Sequence, residues 1–170
     1  MIRILNAEPS NYSPKATSIL EQVGQVDTHP QIDRSWLLQH ISQYDVLIVR
    51  LGFQVDRQVI DAGANLKTII SATTGLDHID LAYAESKHIR ILSLRGKVEF
   101  LRTIPATAEH TWALLLGLMR QIPWAFLSVL NGEWDRDLYK GNDLYRKKLG
   151  IVGLGRIGEK IANYGPKKKI

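Results

Sequence analysis

The sequence predicts an α/β protein built on a parallel sheet. Three features point there. Short apolar runs alternate with amphipathic stretches over the first hundred residues, aspartates stand immediately before two of those stretches, and a glycine-rich turn follows an apolar run near residue 150. Regular strand–helix alternation implies right-handed crossovers and a sheet covered on both faces.

The elements follow in order. Ile2-Arg3-Ile4-Leu5 reads as a strand, and Pro14 to Val23 as a helix with Ala16, Ile19, Leu20 and Val23 on one face. Gln25-Val26-Asp27 is a weak strand. Asp33 is placed to cap a helix over 34–41 through its side-chain oxygen. Asp45 to Val49 is the clearest strand, apolar on both sides as a central parallel strand must be. Asp56 caps a helix over 57–62 that Gly63 closes. A strand over 67–71, a turn at Thr73-Thr74-Gly75, a helix over 80–87 and a strand over 89–92 complete the series.

Around Leu94 this rhythm breaks. Arg95-Gly96-Lys97-Val98-Glu99 is polar and Pro105 follows, so a domain boundary is expected between residues 97 and 98. A long helix over 107–121 carries Trp112, Leu114, Leu115, Leu116, Leu118 and Met119 around most of its circumference, which predicts burial between larger masses. Pro123 suits the first turn of a further helix. Residues 132–146 form a polar loop with Trp134 as its expected anchor.

Composition narrows the class. The chain has 170 residues, of which 45% are hydrophobic and 23% charged, the balance of a soluble globular protein. No stretch reaches the roughly 18 uninterrupted apolar residues of a membrane span, and the start lacks the ordered regions of a signal peptide. Without cysteine there is no disulfide framework, thiolate nucleophile or zinc–thiolate site, and no metal is expected. A cytoplasmic location is the expectation. The net charge of +5 owes much to Arg146-Lys147-Lys148 and to Lys167-Lys168-Lys169, which read as solvated segments. No helical stretch shows a basic stripe with interleaved aromatics, so nucleic acid is not an expected partner.

The chemistry is carried by one turn. Leu149-Gly150-Ile151-Val152 reads as a strand, Gly153-Leu154-Gly155-Arg156-Ile157-Gly158 follows directly, and Glu159 to Tyr164 reads as a helix. In a dinucleotide-binding turn Gly153 permits the tight bend, Gly155 lets the backbone reach a pyrophosphate, and Gly158 lets helix and strand pack closely. The helix N-terminus adds unpaired N–H groups and partial positive charge. A purely structural glycine turn is the competing reading. The same fingerprint calls for an acidic residue roughly 20 positions beyond the glycines to hold the ribose hydroxyls, a position that counting from Gly158 carries past Ile170. The sequence therefore reads as an N-terminal fragment whose Rossmann portion is incomplete, with Pro166 breaking the helix that would normally continue.

Taken together, Leu47-Ile48-Val49-Arg50, Thr74-Gly75-Leu76-Asp77-His78-Ile79-Asp80-Leu81, Ala106-Thr107-Ala108-Glu109-His110-Thr111, Gly132-Glu133-Trp134 and the glycine fingerprint resemble the D-isomer-specific 2-hydroxyacid dehydrogenases, especially their phosphoglycerate-dehydrogenase-like branch. The resemblance implies a flavodoxin-like substrate domain over 1–97 and an incomplete NAD-binding Rossmann domain over 98–170, with the active site in the cleft between them. It implies NAD as cofactor, NADP being the other choice, a small 2-hydroxy or 2-keto acid as substrate, and a homodimer for the full-length parent. The loop Thr74-Gly75-Leu76 would give backbone N–H groups to the substrate carboxylate, with Thr74 near the cofactor; an ordinary strand-capping turn is the plainer account. Arg50 matches a residue that meets the acidic substrate, a task that suits a planar guanidinium, although an arginine at a strand end is as readily just solvated. Thr107 would face the nicotinamide or simply cap its helix. Arg156 and Ile157, with Gly153, Gly155 and Gly158, match the backbone that lies along the pyrophosphate.

The family's catalytic arginine, glutamate and acid–base histidine lie downstream of the fingerprint and have no counterpart here. His78 and His110 fall in matched segments without being that histidine, and His29, His40 and His88 read as surface residues. Ser71 and Leu51 depart from the phosphoglycerate pattern, which expects an arginine and a small polar residue, and this weighs against 3-phosphoglycerate as substrate. The chain is thus expected to be inactive alone. The alternative is a non-catalytic dimerisation or binding module of flavodoxin-like fold that uses the helix over 107–121 as its partner surface.

Overall fold

A computed structural model of the chain describes residues 1–29 and 31–165. Lys167 to Lys169 and Pro166, read above as a solvated tail and a helix breaker, lie outside the described residues. The chain divides into two compact units, Met1–Lys97 and Val98–Ile170.

In the first unit the strands are β1 (Arg3–Asn6), β2 (Gln25–Thr28), β3 (Val46–Val49), β4 (Thr68–Ser71) and β5 (Arg90–Ser93). All pair in parallel, in the order β2-β1-β3-β4-β5. That is the flavodoxin-like doubly wound order, with its switch point between β1 and β3. The intervening helices are α1 (Pro14–Glu21), α2 (Arg34–His40), α3 (Arg57–Ala62) and α4 (Leu81–Ser86). The weak strand near Val26 is real and forms one sheet edge beside β1.

Local sequence explains the helix starts. The carboxylates of Asp33, Asp56 and Asp80 each accept the backbone N–H three residues on, from Trp36 at 2.7 Å, Val59 at 3.2 Å and Tyr83 at 3.0 Å. Each satisfies a first-turn donor that the helix itself leaves unpaired. The core lies along β1, β3 and β4, where Leu5, Leu47, Val49 and Ile69 are fully buried beneath Leu37, Val59 and Ile60. Helix α1 contributes less than its apolar face promised. It has no fully buried residue, Ile19 is exposed, and Val23 lies beyond its end.

Asp45 ties three strand starts together. Its carboxylate accepts the Arg3 N–H at 3.0 Å and meets Lys67 Nζ at 2.7 Å, while its carbonyl accepts from Lys67 N and Thr68 N. Nearby, the Arg3 guanidinium reaches Asp27 at 2.7 Å, linking β1 to the edge strand.

The second unit holds α5 (Val98–Arg102), α6 (Ala106–Met119), α7 (Ile122–Leu130) and α8 (Arg156–Tyr164). Four expectations are corrected here. Residues 149–152 form no strand, because a strand needs a neighbour for its backbone groups and no other strand exists among the described residues of this unit. Helix α6 is not buried all round. It packs on α7 and α8, which cover part of its circumference and leave Leu114 60% and Leu118 63% exposed. Thr107 is not the N-cap of α6, since the helix begins at Ala106 after Pro105 and no side chain caps it. Trp134 does not anchor its loop, being 81% exposed. The loop is instead held by Ser128, whose hydroxyl donates to Glu133 at 2.8 Å, and by Gln121, whose amide donates to the Lys140 carbonyl at 3.0 Å. The segment after Leu94, to which the sequence assigned no element, contains the short helix α5. Among the described residues no single helix is long and apolar enough to cross a membrane; only a pair of helical segments bent by 65° reaches the length.

The Asp45 carboxyl lies below its ordinary range, first because the Arg3 backbone N–H donates to it and then because of Lys67. Its stabilisation is therefore complete above the unfolded value of about 3.9 and is lost as pH falls through the lower folded value. Asp45→Asn, unable to ionise, should lower stability near neutral pH, and its deficit against wild type should shrink below about pH 4 in urea titrations. A deficit unchanged down to about pH 2 would show that the charge of Asp45 plays no part.

Candidate functional site

Parallel pairing sends every strand's C-terminal end to one edge of the sheet, and the candidate residues of the first unit gather there. Val49 and Ser71 are register partners, so Arg50 and the loop after Ser71 leave from neighbouring strands. Asn6 is paired with Ile48, which brings the segment after β1 to the same edge.

At the switch point the side chain of Glu8 turns onto the β3 loop. Its carboxylate accepts the Arg50 N–H at 2.7 Å and the Gly52 N–H at 3.1 Å. A Cβ at Gly52 would sit 3.1 Å from Glu8 Oε2, so the glycine keeps room for that carboxylate. The Arg50 guanidinium is exposed, touches only the Ser10 carbonyl at 3.4 Å, and forms no ion pair among the described residues. It is free to meet an acid from solvent. Sequence reading missed Glu8. Its only signal is its place two residues past a strand end.

One strand over, the loop after β4 is held from beneath by a buried polar cluster. Ser71 is fully buried and His78 is 5% exposed. Ser71 Oγ lies 2.8 Å from Thr73 Oγ1 and 3.1 Å from His78 Nε2, and the Thr73 hydroxyl donates to the Gly75 carbonyl at 2.7 Å. Thr74 and Gly75 are exposed and Leu76 is buried. Gly75 has no positive φ, and a Cβ there would meet only Asp77 Oδ2 at 3.6 Å. Its glycine therefore answers neither to backbone strain nor to crowding, and it leaves bare peptide facing outward. Among the described residues the N–H groups of Thr74, Gly75 and Leu76 donate to no protein acceptor.

In the second unit the glycine fingerprint takes a bent form. Gly153 has φ +90°, a region that side-chain-bearing residues avoid. Gly155 stands at the N-cap of α8 with open space where a Cβ would project. A Cβ at Gly158 would collide with the Gly153 carbonyl oxygen, so only glycine lets the helix close onto the turn. No side chain caps α8, and the Arg156 side chain turns away to donate to the Leu101 carbonyl at 3.2 Å. The backbone N–H groups of the first turn, including those of Arg156 and Ile157, are left to an outside acceptor. This geometry fits a diphosphate. Thr107 is exposed on the first turn of α6, and its carbonyl accepts from the Thr111 hydroxyl at 2.8 Å. His29 and His88 are exposed, as read from the sequence, whereas His40 is half-buried, stacked on Trp36 with its Nδ1 2.8 Å from the Trp36 carbonyl. Among the described residues no three potential metal ligands cluster.

Comparison with known proteins agrees with this arrangement. Residues 4–131 match the D-isomer specific 2-hydroxyacid dehydrogenase catalytic domain, and residues 112–166 match the NAD binding domain of the same family. The chain is 39% identical to a D-3-phosphoglycerate dehydrogenase of Methanocaldococcus jannaschii over 95% of its own length and 29% of that protein's. It is 35% identical to a hydroxypyruvate reductase of Thermotoga maritima over 87% of its length and 47% of the relative's. A crystal structure of a Thermus thermophilus protein superposes with a TM-score of 0.82 at 30% identity, covering 96% of this chain and 52% of that one. The chain thus spans about half or less of the length of the proteins it matches. A fold in the flavodoxin-like order, a bent glycine turn before a helix and a family match covering residues 4–131 make this chain a member of the D-isomer specific 2-hydroxyacid dehydrogenase family.

Proposed function

We propose that these residues supply the acid-binding loops and the first cofactor-binding turn of an NAD-dependent oxidoreductase acting on the CH–OH group of a small 2-hydroxy acid. The observation that carries the reading is the turn at Gly153–Gly158, where a positive φ, a bare N-cap and a helix seated against the Gly153 carbonyl leave backbone N–H groups for a pyrophosphate. On this reading the unit over 1–97 is the substrate domain and the unit over 98–170 is part of the NAD-binding domain. Bound NAD supplies the hydride acceptor at its nicotinamide ring. The chain's own residues bind and orient. Arg50 pairs with an acidic group of the substrate, Thr74, Gly75 and Leu76 offer N–H groups to its carboxylate, and Thr74 and Thr107 face the cofactor. Gly153, Gly155, Arg156, Ile157 and Gly158 hold the pyrophosphate by backbone. Ser71 and Leu51 stand where a phosphoglycerate-binding chain would carry an arginine and a small polar residue, which favours a smaller acid.

Oxidation of the hydroxyl carbon also needs a base to take the hydroxyl proton. The family's arginine, glutamate and histidine for that step have no counterpart in these 170 residues. The purified chain should therefore show no steady oxidation of NADH with glyoxylate or hydroxypyruvate, and a rate above the enzyme-free background would refute this. Binding is a separate matter. Gly153→Ala forces a Cβ into the left-handed region at roughly 1–2 kcal/mol, so NADH affinity measured by fluorescence titration should fall about tenfold. Unchanged affinity would remove the turn from the cofactor site.

A second reading has its own support. Helices α6 and α7 expose Leu114, Leu118, Trp124, Phe126, Leu127 and Leu130, large apolar side chains of the kind that contribute to protein–protein contacts. A dimerisation role follows, compatible with the first reading. Size-exclusion chromatography should show association that rises with concentration and is reduced by Leu114→Glu with Leu118→Glu. A monomer at every concentration would end this reading.

A further inference from the structure

The donor count of the Ser71–Thr73–His78 cluster has a single solution. Thr73 has one hydroxyl hydrogen, and the Gly75 carbonyl can only accept, so their 2.7 Å bond uses that hydrogen. Thr73 Oγ1 must then accept from Ser71 across 2.8 Å. With its own hydrogen so committed, Ser71 Oγ must accept from His78 Nε2 across 3.1 Å, and Nε2 must carry a proton. We infer that His78 is a positioning residue whose Nε2–H begins a one-way chain of hydrogen bonds, through Ser71 and Thr73 to the Gly75 carbonyl, that aims the Gly75–Leu76 peptide at a carboxylate. The inference rests on the proposed role of this loop in binding the substrate acid.

Both ends of the chain are anchored. Ser71 is a β4 residue paired with Val49 on one side and Ser93 on the other. The His78 carbonyl accepts from Val55 N at 2.7 Å, and Asp80 N returns a bond to the Val55 carbonyl at 3.0 Å. The Thr73 carbonyl accepts from Leu94 N at 3.1 Å, and Leu76 is fixed through its own carbonyl to Ile79 N at 2.9 Å. Burial of Ser71 and His78 keeps water from competing for the links between them.

The effect on the loop follows from peptide chemistry. A trans peptide points its N–H opposite to its C=O. With the Gly75 carbonyl drawn to Thr73, the Leu76 N–H is directed away from the cluster. A hydrogen bond at the carbonyl also polarises the peptide and strengthens its N–H as a donor, by roughly 10–30% per bond in a chain. Such a donor, beside the unencumbered N–H of Gly75, suits an anionic oxygen acceptor. A carboxylate, the group that the proposed function assigns to this loop, is such an acceptor. His78 itself, buried below, touches no ligand. Its part is to fix direction: were its proton on Nδ1 instead, Ser71 would turn its hydrogen toward Nε2 and the Thr73–Gly75 link would lose its supporting donor.

Nitrogen-15 NMR of the 170-residue chain tests this, with oxalate as the carboxylate probe. His78 should appear protonated at Nε2 with a slowly exchanging ring proton, and Ser71→Ala should speed that exchange. Thr73→Val, which keeps the shape and removes the hydroxyl, should move the Leu76 amide proton upfield and weaken oxalate binding about tenfold. Thr73→Ser should restore both, which a purely packing role would not allow. An Nδ1–H tautomer in wild type, or a Leu76 amide unmoved by Thr73→Val, overturns the inference. If wild type shows the expected tautomer and the Leu76 shift responds as described, yet oxalate perturbs no loop amide, the acid-binding role of the loop fails while the direction of the chain stands.

Discussion

The first unit depends on the parallel pairing of β3 with β4. A hairpin cannot join parallel strands, so each connection must cross over and return to the same end. That requirement fills the chain with helices between strands, buries both faces of the sheet, and collects the loops after β1, β3 and β4 along one edge. The register Val49 with Ser71 is what gives the pairing chemical meaning. Because side chains alternate faces along a strand, a slip of one residue would carry the Ser71 hydroxyl to the opposite side of the sheet. The buried link to His78 and the hold on Gly75 would go with it.

Much of the first unit was legible because its signals are local. A run such as Val46 to Val49 announces a central strand whatever surrounds it, and an aspartate before an amphipathic stretch announces a helix start within three residues. The residues that failed are those whose state depends on partners. Leu149 to Val152 has the composition of a strand but no neighbour to pair with among the described residues, so its backbone stays irregular. The apolar circumference of α6 says that something should cover it and does not say what. Trp134, large and apolar, was the natural choice of anchor, yet the loop is held by Ser128 and Glu133, whose bond follows from the turn after α7. At the site, the glycines and Arg50 stood out as residue types at strand ends. Glu8 did not, and the bonds joining Ser71, Thr73 and His78 were invisible, since only the folded register brings their side chains within bonding distance.

The second unit shows how the glycine turn keeps its shape with few supports. Gly153 and Gly158 are interdependent, the one presenting the carbonyl against which the other must lack a side chain. The Arg156 side chain is tied to Leu101, and the Trp112 indole N–H donates to the Ile161 carbonyl at 3.1 Å, so α8 is fastened to α5 and α6 rather than to a sheet. The bend is thus specified by glycine sterics and helix packing, both present without a strand beside it.

Glu8 has a consequence for how specificity is distributed along the edge. In doubly wound folds the gap between β1 and β3 is the natural berth for a negatively charged guest. Here that berth already holds an anion belonging to the protein, tethered to the backbone of Arg50 and Gly52. Glu8 thus takes up the backbone donors of that gap, whereas one strand over the N–H groups of Thr74, Gly75 and Leu76 have no protein acceptor among the described residues.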